Sequence, residues 1–325
     1  MLKAFSRAAR AFGAAAIALA ALSAPAAAYP DRPITLIVPF APGGSTDLVA
    51  RIVAAKMTEL LKQTVVVENR GGAGGSLGAT AVAKAAPDGY TILMATVATH
   101  ALNPALYKKL QYDPVKDFAP ITLLVNVPNV LTANPKFPAK SVKELIELAK
   151  KEPAKYAYAS SGNGSPLHLS GELFKKMAGV DLVHIPYKGS GPALVDVLAG
   201  QVPLQVDNLP SSIEHIKGGR LVALGVTTAQ RVPNLPDVPA IAETLPGYET
   251  YSWNALFAPA GTPPEIVKAL HDAGVEALKD ETVKKKLTDA TAVIVGSTPE
   301  ELGEFTKKEI EKWTPIVKDS GAQID

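Results

Sequence analysis

The fold follows from one stretch, Val38-Pro39-Phe40-Ala41-Pro42-Gly43-Gly44-Ser45-Thr46-Asp47, in which an apolar strand, a glycine–serine loop and a helix start follow one another. The same order recurs in Tyr158-Ala159-Ser160-Ser161-Gly162-Asn163-Gly164-Ser165-Pro166 and in Ile185-Pro186-Tyr187-Lys188-Gly189-Ser190-Gly191-Pro192. Each stretch directs the unpaired N–H groups of a helix N-terminus past residues without side chains, which suits an anion. The three stretches together predict a carboxylate or phosphate held by backbone groups.

Strand-like runs alternate with helix-like runs along the rest of the chain. Runs rich in β-branched residues predict strands at 34–40, 64–69 and 90–96, and apolar residues at helical spacing predict a helix between the first two. This βαβ order is typical of an α/β fold with mainly parallel sheets and flanking helices. A last helix is predicted at about 299–319.

Two long extended segments, 120–133 and 250–259, predict places where the chain crosses between two lobes. The first of these is interrupted by Pro128. We therefore expect residues 29–127 and 252–325 to form domain 1, and residues 128–251 to form domain 2.

Several helix starts carry capping signals. Ser45 or Thr46 is expected to cap the helix after the first glycine loop. The pairs Ser141 with Glu144, Thr262 with Glu265 and Thr298 with Glu301 have the spacing of capping boxes.

Residues 1–28 have the pattern of a secretory signal peptide. Lys3, Arg7 and Arg10 precede an apolar run that is too short to span a bilayer, and Ala26-Ala27-Ala28 supplies a cleavage site after Ala28. The chain has no cysteine, so a lipid anchor at the cleavage site and a disulfide framework are both excluded. We therefore expect a periplasmic, unanchored protein.

The charge balance excludes some partners. The chain has 33 Lys and Arg and 31 Asp and Glu. Removing residues 1–28 takes away three basic residues and no acidic one, which leaves 30 against 31, a net charge of about −1. This balance favours neither nucleic acid nor a membrane surface as a partner.

The glycine-rich run Gly71-Gly72-Ala73-Gly74-Gly75-Ser76-Leu77 does not fit a nucleotide site. A dinucleotide fingerprint would need glycine at Leu77, and a P-loop would need a lysine that is absent. The run is interpreted as a flexible loop at the mouth of a cleft. The five histidines show no metal-ligand spacing, and no catalytic residue, metal or cofactor is predicted.

Among four polar residues near the second and third loops, three have two interpretations each. His168 either faces the cleft or packs at the helix start, and Lys188 either adds positive charge or lies on the surface. Tyr187 could form an aromatic wall of the site. Asp207 lies where a strand ends, so it either binds an amino or hydroxyl group or orders a turn.

The chain resembles the Bug-type substrate-binding proteins of tripartite tricarboxylate transporters. The resemblance extends over essentially all of residues 29–325. Besides the three loops, it rests on Tyr29-Pro30-Asp31-Arg32-Pro33-Ile34, Val67-Glu68-Asn69-Arg70, Pro87-Asp88-Gly89-Tyr90-Thr91, Asp207-Asn208-Leu209-Pro210-Ser211-Ser212 and Phe257-Ala258-Pro259-Ala260-Gly261-Thr262-Pro263.

This resemblance implies a two-lobed periplasmic receptor of the type II, Venus-flytrap topology with a small carboxylate in its cleft. The partners would be the membrane subunits of the transporter, and we expect a monomer. The first two loops would hold one carboxylate through backbone groups and bridging waters, and the third loop with Asp207 would lie near the variable end of the ligand. The predicted ligand-binding residues are Phe40, Ala41, Pro42, Gly43, Gly44, Ser45, Thr46, Asp47, Thr96, Ser160, Ser161, Gly162, Ser165, His168, Tyr187, Lys188, Gly189 and Asp207.

Two other functions stay open at this point. A secreted hydrolase or lyase could use the same two-lobed fold, and a sensory receptor could bind the same ligand without transport. A nucleophile–base pair within hydrogen-bond reach in the cleft would favour the enzyme. The ligand could be a di- or tricarboxylate, an acidic amino acid or an aromatic carboxylate.

Overall fold

The computed structural model describes residues 29–323, so the predicted signal peptide and its cleavage site lie outside the described residues. The strands are β1 (Ile34–Val38), β2 (Val65–Asn69), β3 (Thr91–Thr96), β4 (Phe118–Ala133), β5 (Ala157–Ser160), β6 (Val183–Pro186), β7 (Leu204–Asn208), β8 (Val222–Val226), β9 (Tyr251–Pro259) and β10 (Val293–Ile294). The α-helices are α1 (Ser45–Leu61), α2 (Ser76–Ala83), α3 (Asn103–Leu106), α4 (Val142–Lys151), α5 (Pro166–Ala178), α6 (Ser190–Ala199), α7 (Leu209–Lys217), α8 (Pro264–Lys279), α9 (Glu281–Asp289) and α10 (Pro299–Asp319). The three predicted strands and the predicted last helix are thereby confirmed.

The strands form two groups that share β4. One group runs in the order β2-β1-β3-β9-β4 and the other in the order β4-β7-β5-β6, while β8 and β10 also pair with β4. We call the first group with its helices lobe 1 and the second lobe 2. The α/β class and the two-lobed architecture are thus confirmed.

Among the named strands, parallel pairs form where helices connect the strands, namely β1 with β2 and β3, and β5 with β6 and β7. The crossing strands β4 and β9 pair antiparallel with their neighbours, so both sheets are mixed. The physical reason is that β4 leaves lobe 1 and β9 returns to it, so the two run in opposite directions.

The two crossings lie side by side. Strand β9 pairs with β4 from Phe118 opposite Pro259 to Pro128 opposite Tyr251, and β4 then continues into lobe 2, where it pairs with β7. Pro128 therefore lies within a continuous strand and marks the end of the β4–β9 pairing. The domain boundaries given above stay a prediction.

Each sheet is buried between helices on both faces. Along β1, Ile34, Leu36 and Val38 pack in one apolar cluster with α1, α8 and α9, whereas Ile37 packs in another with α2 and α10. This alternation follows from the two-residue period of a strand. In lobe 2, α4 and α5 cover one face, and α6 and α7 cover the other.

The capping predictions have mixed outcomes. Thr298 and Glu301 form a capping box at α10, and the Ser141 side chain accepts from the Glu144 N–H at α4. The Thr262 prediction is wrong, because α8 begins one residue after Pro263 and the Thr262 hydroxyl donates to the Pro259 carbonyl instead.

Candidate functional site

Loop 1 (residues 40–47) ends in the first turn of α1, and that turn has no side-chain cap. Gly44 is the N-cap residue, and neither Ser45 nor Thr46 makes the capping hydrogen bond that the sequence predicted. The reason is that Ser45 already lies inside the helix, where its side chain cannot reach the next N–H groups as a cap does. Within residues 29–323, the N–H groups of Ser45, Thr46 and Asp47 therefore have no intrahelical or side-chain partner.

Asp47 holds loop 1 in place through hydrogen bonds. It is buried, and its carboxylate accepts from the Gly43 N–H, Arg51 Nε and Asn69 Nδ2, each at 3.0 Å. Asn69 Nδ2 also donates to the Phe40 carbonyl at 3.0 Å. Burial tends to raise the pKa of Asp47, but the hydrogen bonds from Arg51, Gly43 and Asn69 outweigh it and hold the pKa below its ordinary value.

The glycine-rich run after β2 is a packing surface for loop 1, a role that the sequence did not reveal. A Cβ on Gly71 would stand 3.1 Å from the Ala41 nitrogen, and one on Gly78 would stand 2.9 Å from the Pro39 Cα. The run does not form the loop that the sequence predicted, since residues 73–75 form a 3₁₀ turn and α2 begins directly after it. These glycines are needed because two backbone segments approach closely.

A polar cluster lies beside the first turn of α1. Thr96 is the last residue of β3 and pairs across the sheet with Asn254 of β9. Asn254 Nδ2 lies 3.3 Å from Thr46 Oγ1. The Oγ1 of Thr96 and the Oδ1 of Asn254 are buried and have no hydrogen-bond partner within residues 29–323.

Loop 2 (residues 160–165) and loop 3 (residues 187–192) are joined to each other in lobe 2. The Tyr187 N–H donates to the Ser160 carbonyl and the Gly189 N–H donates to the Ser161 carbonyl, both at 3.1 Å. Gly162 has a φ of +135°, and a Cβ on it would stand 3.0 Å from the Tyr187 carbonyl oxygen. The structure therefore brings the second and third predicted loops into one surface.

His168 packs at the start of α5 and orders loop 2. Its backbone N–H donates to Ser165 Oγ, the N-cap side chain, and its Nδ1 accepts from the Gly164 N–H at 3.1 Å. Its ring stacks on that of His184 at 3.9 Å. Burial lowers the pKa of His168, which keeps Nδ1 available as an acceptor.

The remaining predicted residues of lobe 2 differ in their surroundings. Tyr187 donates to Asp196 at 2.6 Å, and burial together with this bond raises the Tyr187 pKa to about 12. Lys188 is exposed. Asp207 is fully buried and accepts from Ser212 Oγ at 2.7 Å and from the Asn208 N–H at 2.8 Å. These bonds favour the turn-ordering interpretation of Asp207.

Loop 1 and the joined loops 2 and 3 lie on different lobes, and no hydrogen bond links them within residues 29–323. Between the lobes, Asn208 Nδ2 donates to Asn129 Oδ1 at 3.2 Å and to Ser252 Oγ at 3.1 Å. These three residues connect β7 with both crossing strands. Their signal in the sequence is the presence of polar side chains within otherwise apolar crossing segments.

One pair meets the distance criterion for a nucleophile and its base. Ser160 Oγ lies 2.7 Å from His184 Nε2. Ser160 is fully buried, however, and its Oγ also accepts from the Gly162 N–H. Burial lowers the pKa of His184 to about 3, and no described residue holds its Nδ1. A buried hydroxyl beside so weak a base lacks the access and the basicity that nucleophilic catalysis needs.

A second pattern also bears on catalysis. The run Gly74-Gly75-Ser76-Leu77-Gly78 has the G-x-S-x-G spacing of a nucleophile elbow. In the structure, the Ser76 side chain is bonded to Tyr107, and within residues 29–323 it has no histidine partner. The pattern is explained by the close packing of these glycines rather than by a reactive serine.

A metal site, a membrane-spanning helix and a separate cavity are three further features to consider in the described part of the chain. Among residues 29–323, no group of three or more His, Cys, Asp or Glu is placed to hold a metal ion. No helix among them is long and apolar enough to span a membrane. A cavity of about 420 Å³ lies between α5 and α10, and none of the predicted ligand-binding residues lines it.

Two α/β lobes joined by paired crossing strands, with glycine loops at helix N-termini on both lobes, define a periplasmic binding protein. The chain belongs to the tripartite tricarboxylate transporter receptor family, because that family's profile, "Tripartite tricarboxylate transporter family receptor", matches residues 49–322. This confirms the resemblance found in the sequence.

Relatives and solved structures agree with this assignment. Protein BugT of Bordetella pertussis is 41% identical over 95% of this chain and 96% of its own. An R. palustris protein solved with adipate is 41% identical, with a TM-score of 0.87 over 90% of this chain and 98% of its own. MatC from Rhodopseudomonas palustris, solved with bound malate, is 38% identical, with a TM-score of 0.84 over 89% of this chain and all of its own.

Proposed function

We propose that this protein is a periplasmic receptor that captures a small carboxylate between its lobes and delivers it to the membrane subunits of a tripartite tricarboxylate transporter. The observation that carries the proposal is the uncapped first turn of α1, beside which Asn254 lies with its Nδ2 3.3 Å from Thr46 Oγ1 and with its Oδ1 unpartnered within residues 29–323. Such a turn attracts an anion through its N–H groups and its dipole.

The second half of the proposed site is the joined surface of loops 2 and 3. The N-cap residue of α6 is Gly189, and this helix also begins without a side-chain cap. A Cβ on Gly189 would meet no atom within 4 Å, so the approach to its backbone is open. A dicarboxylate or a hydroxy acid spanning the cleft could thus meet backbone donors on both lobes.

Helix N-termini alone cannot account for tight binding. Each contributes about 0.3–1 kcal/mol to an exposed charge and up to ~2 kcal/mol when partly buried. A micromolar complex requires about −8 kcal/mol. No arginine lies in any of the three loops to make a bidentate clamp. The remainder must come from hydrogen bonds and apolar contacts formed when the cleft closes on the ligand.

The class of ligand is proposed from relatives as well as from the site. The adipate and malate in the two R. palustris structures are both dicarboxylates, so we place dicarboxylates first. A tricarboxylate, an acidic amino acid or an aromatic carboxylate also suits a site built from backbone donors.

A thermal-shift panel tests the proposal directly. Succinate, malate, adipate, citrate, glutamate and benzoate are each added to the purified protein, with the corresponding amides as uncharged controls. A ligand at about 100 times its Kd adds roughly 2.7 kcal/mol to the free energy of unfolding. At least one acid should raise Tm while its amide does not. Equal Tm values across the whole panel would contradict a carboxylate receptor.

Maturation and assembly complete the proposal. We expect cleavage after Ala28, no lipid anchor and a monomeric product with the two domains given above. Intact-mass measurement of the protein recovered from the periplasm should give a chain that begins at Tyr29. A mass that includes lipid, or a different first residue, would count against this part of the proposal.

A further inference from the structure

Helix α5 contacts both lobes. Phe174 packs in the apolar cluster of lobe 2, and a Cβ on Gly171 would stand 2.3 Å from the ring of Tyr158 in β5. Leu169, by contrast, is fully buried in the cluster of lobe 1 that contains Trp253. The helix is therefore fixed to lobe 2, while one of its faces rests on lobe 1.

The middle of α5 is held at the second crossing. Ser170 Oγ lies 2.7 Å from Thr250 Oγ1 and 2.8 Å from the Tyr248 hydroxyl, and all three residues are buried. Thr250 directly precedes Tyr251, where the β4–β9 pairing ends. Because the paired crossing strands separate there, a rotation of lobe 2 relative to lobe 1 is centred close to the middle of α5.

The two ends of α5 lie on opposite sides of this fixed point. At the N-terminal end, Ser165 of loop 2 caps the helix, and Lys176 lies in the last turn. At 1.5 Å per residue, Ser165 is about 8 Å and Lys176 about 9 Å from Ser170 along the helix axis. A rotation about the middle of α5 therefore moves its two ends by similar distances in opposite directions.

The C-terminal end of α5 is joined to α10 of lobe 1 by an ion pair. Lys176 Nζ lies 2.6 Å from Oδ2 of Asp319, the last residue of α10. Leu169, Glu172 and Lys176 have the spacing of one helix face, so this pair continues the surface on which Leu169 rests. The cavity of about 420 Å³ lies between the two helices at this point. A contact with such a void lacks much of the dispersion energy of a close-packed interface, so it can open at a modest cost.

The structure combines an open cleft with a joined C-terminal end of α5. A Cβ on Gly44 in loop 1 or on Gly189 in loop 3 would meet no atom within 4 Å. Among residues 29–323, no hydrogen bond joins these loops across the cleft, whereas Lys176 and Asp319 are paired. The ion pair therefore belongs to the open arrangement of the lobes.

We propose that α5 acts as a lever: closure of the cleft on a carboxylate moves loop 2 toward lobe 1 and separates Lys176 from Asp319, so this ion pair favours the open receptor. The proposal rests on the proposed function and deepens it, because it assigns control of the affinity to a contact outside the ligand site. A contact present only in the open arrangement opposes a ligand that prefers the closed one.

Calorimetry with the best-binding acid of the panel above tests the lever. Asp319→Lys places a like charge beside Lys176 and should tighten binding about threefold, the size expected when repulsion replaces an exposed ion pair. Combining Asp319→Lys with Lys176→Asp restores the pair with its charges exchanged and should return the Kd to that of the unmodified protein. Glu304→Lys is the matched control, since it makes the same charge change beside Lys307 within α10, and it should leave the Kd unchanged.

A covalent link tests the same contact in the opposite direction. The chain has no cysteine, so Lys176→Cys with Asp319→Cys supplies one defined pair that a short bis-maleimide joins across the lobes. The linked protein should bind the acid about tenfold more weakly than the same double variant blocked with N-ethylmaleimide. Glu304→Cys with Lys307→Cys, linked within α10, should bind as the unmodified protein does.

The outcomes separate the two proposals. If an acid binds, and folded Asp319→Lys does not tighten binding while the link does not weaken it, the lever is overturned and the receptor function stands. Tighter binding by the linked protein also overturns the lever, because the end of α5 would then approach α10 on closure. If no acid of the panel binds the unmodified protein, the receptor function fails and the lever fails with it.

Circular dichroism and thermal unfolding without ligand show which variants are folded. If the linked protein does not fold, Asp319→Lys and its charge-exchanged partner decide the matter. If both tests can be read and they disagree, the link decides, because it acts on the separation of the two helices directly.

Discussion

At the scale of single residues, Gly44 is the most direct test of loop 1. Its φ of −84° and ψ of 172° suit any residue, and a Cβ there would meet no atom within 4 Å. Gly44→Asp should therefore leave the fold intact while it places a negative charge at the proposed anion site. We expect binding to fall at least a hundredfold, which corresponds to about 2.7 kcal/mol.

Calorimetry on the folded variant measures this loss. Gly303→Asp adds the same charge on α10 of the same lobe, where a Cβ has only ordinary contacts, and should leave affinity unchanged. Unchanged affinity in folded Gly44→Asp would remove loop 1 from the site.

His100 provides a prediction about acid stability. It is fully buried between Phe118 and Phe257, and burial lowers its pKa from 6.5 to about 3. The unfolded chain therefore binds a proton at pH values where the folded chain does not, and stability falls as the pH falls from about 6.5 toward about 3. At pH 5 this histidine alone should lower the free energy of unfolding by about 2 kcal/mol relative to pH 8.

Urea unfolding of the unmodified protein and His100→Gln at both pH values isolates this effect, since the carboxylates contribute equally to each protein. The variant should lose about 2 kcal/mol less on acidification. Parallel curves for the two proteins would mean that His100 does not titrate as its burial implies.

At the scale of elements, α1 contains both an acidic and a basic side chain near its N-terminus, and their charges compensate each other. The anion site proposed at its N-terminus lies next to the carboxylate of Asp47, which would repel a bound acid. Arg51, one turn later, pairs with Asp47 at 3.0 Å and also donates to Asn69. The helix thus supplies both Asp47, whose carboxylate orders loop 1, and Arg51, whose guanidinium compensates the charge of that carboxylate.

Arg51→Ala should therefore weaken ligand binding about tenfold, or about 1.4 kcal/mol, because Asp47 keeps its charge while loop 1 loses one support. Lys56→Ala is the matched control: Lys56 lies on the same helix and pairs with Glu59 and Asp280, away from loop 1. Calorimetry should show a loss for Arg51→Ala alone. Equal losses in both variants would point to a general effect of charge on the lobe.

At the scale of the whole molecule, the two proposed halves of the site move relative to each other if the crossing strands bend. A ligand that bridges loop 1 and the joined loops 2 and 3 binds the closed arrangement more tightly, and only such differential affinity shifts a conformational equilibrium. Pro128 and Tyr251, where the β4–β9 pairing ends, are the natural hinge positions.

A saturating acid should thus reduce the radius of gyration measured by small-angle scattering. The same acid added to Gly44→Asp at the same concentration should leave the radius unchanged, which controls for solvent effects. Identical scattering with and without a calorimetrically verified ligand would show that the lobes do not close.

The sequence alone determined the α/β alternation and several of its elements. Local patterns specified β1, β2, β3 and α10, because burial periodicity and capping residues act within a few positions of the chain. The three glycine loops were visible for the same reason, as was the family, whose motifs are themselves short runs. The extended segments around Pro128 and Trp253 were also recognisable as crossings.

The tertiary structure alone decided what each polar side chain does. The sequence left Asp207 with two equal interpretations and placed Asp47 among the ligand-binding residues, but the partners Asn69 and Ser212, which lie on other elements, favour a role for both carboxylates in ordering the fold. Asn254 meets Thr46 across 208 positions of sequence. No local pattern encodes such contacts, because they arise only when strands distant in the chain become neighbours in a sheet.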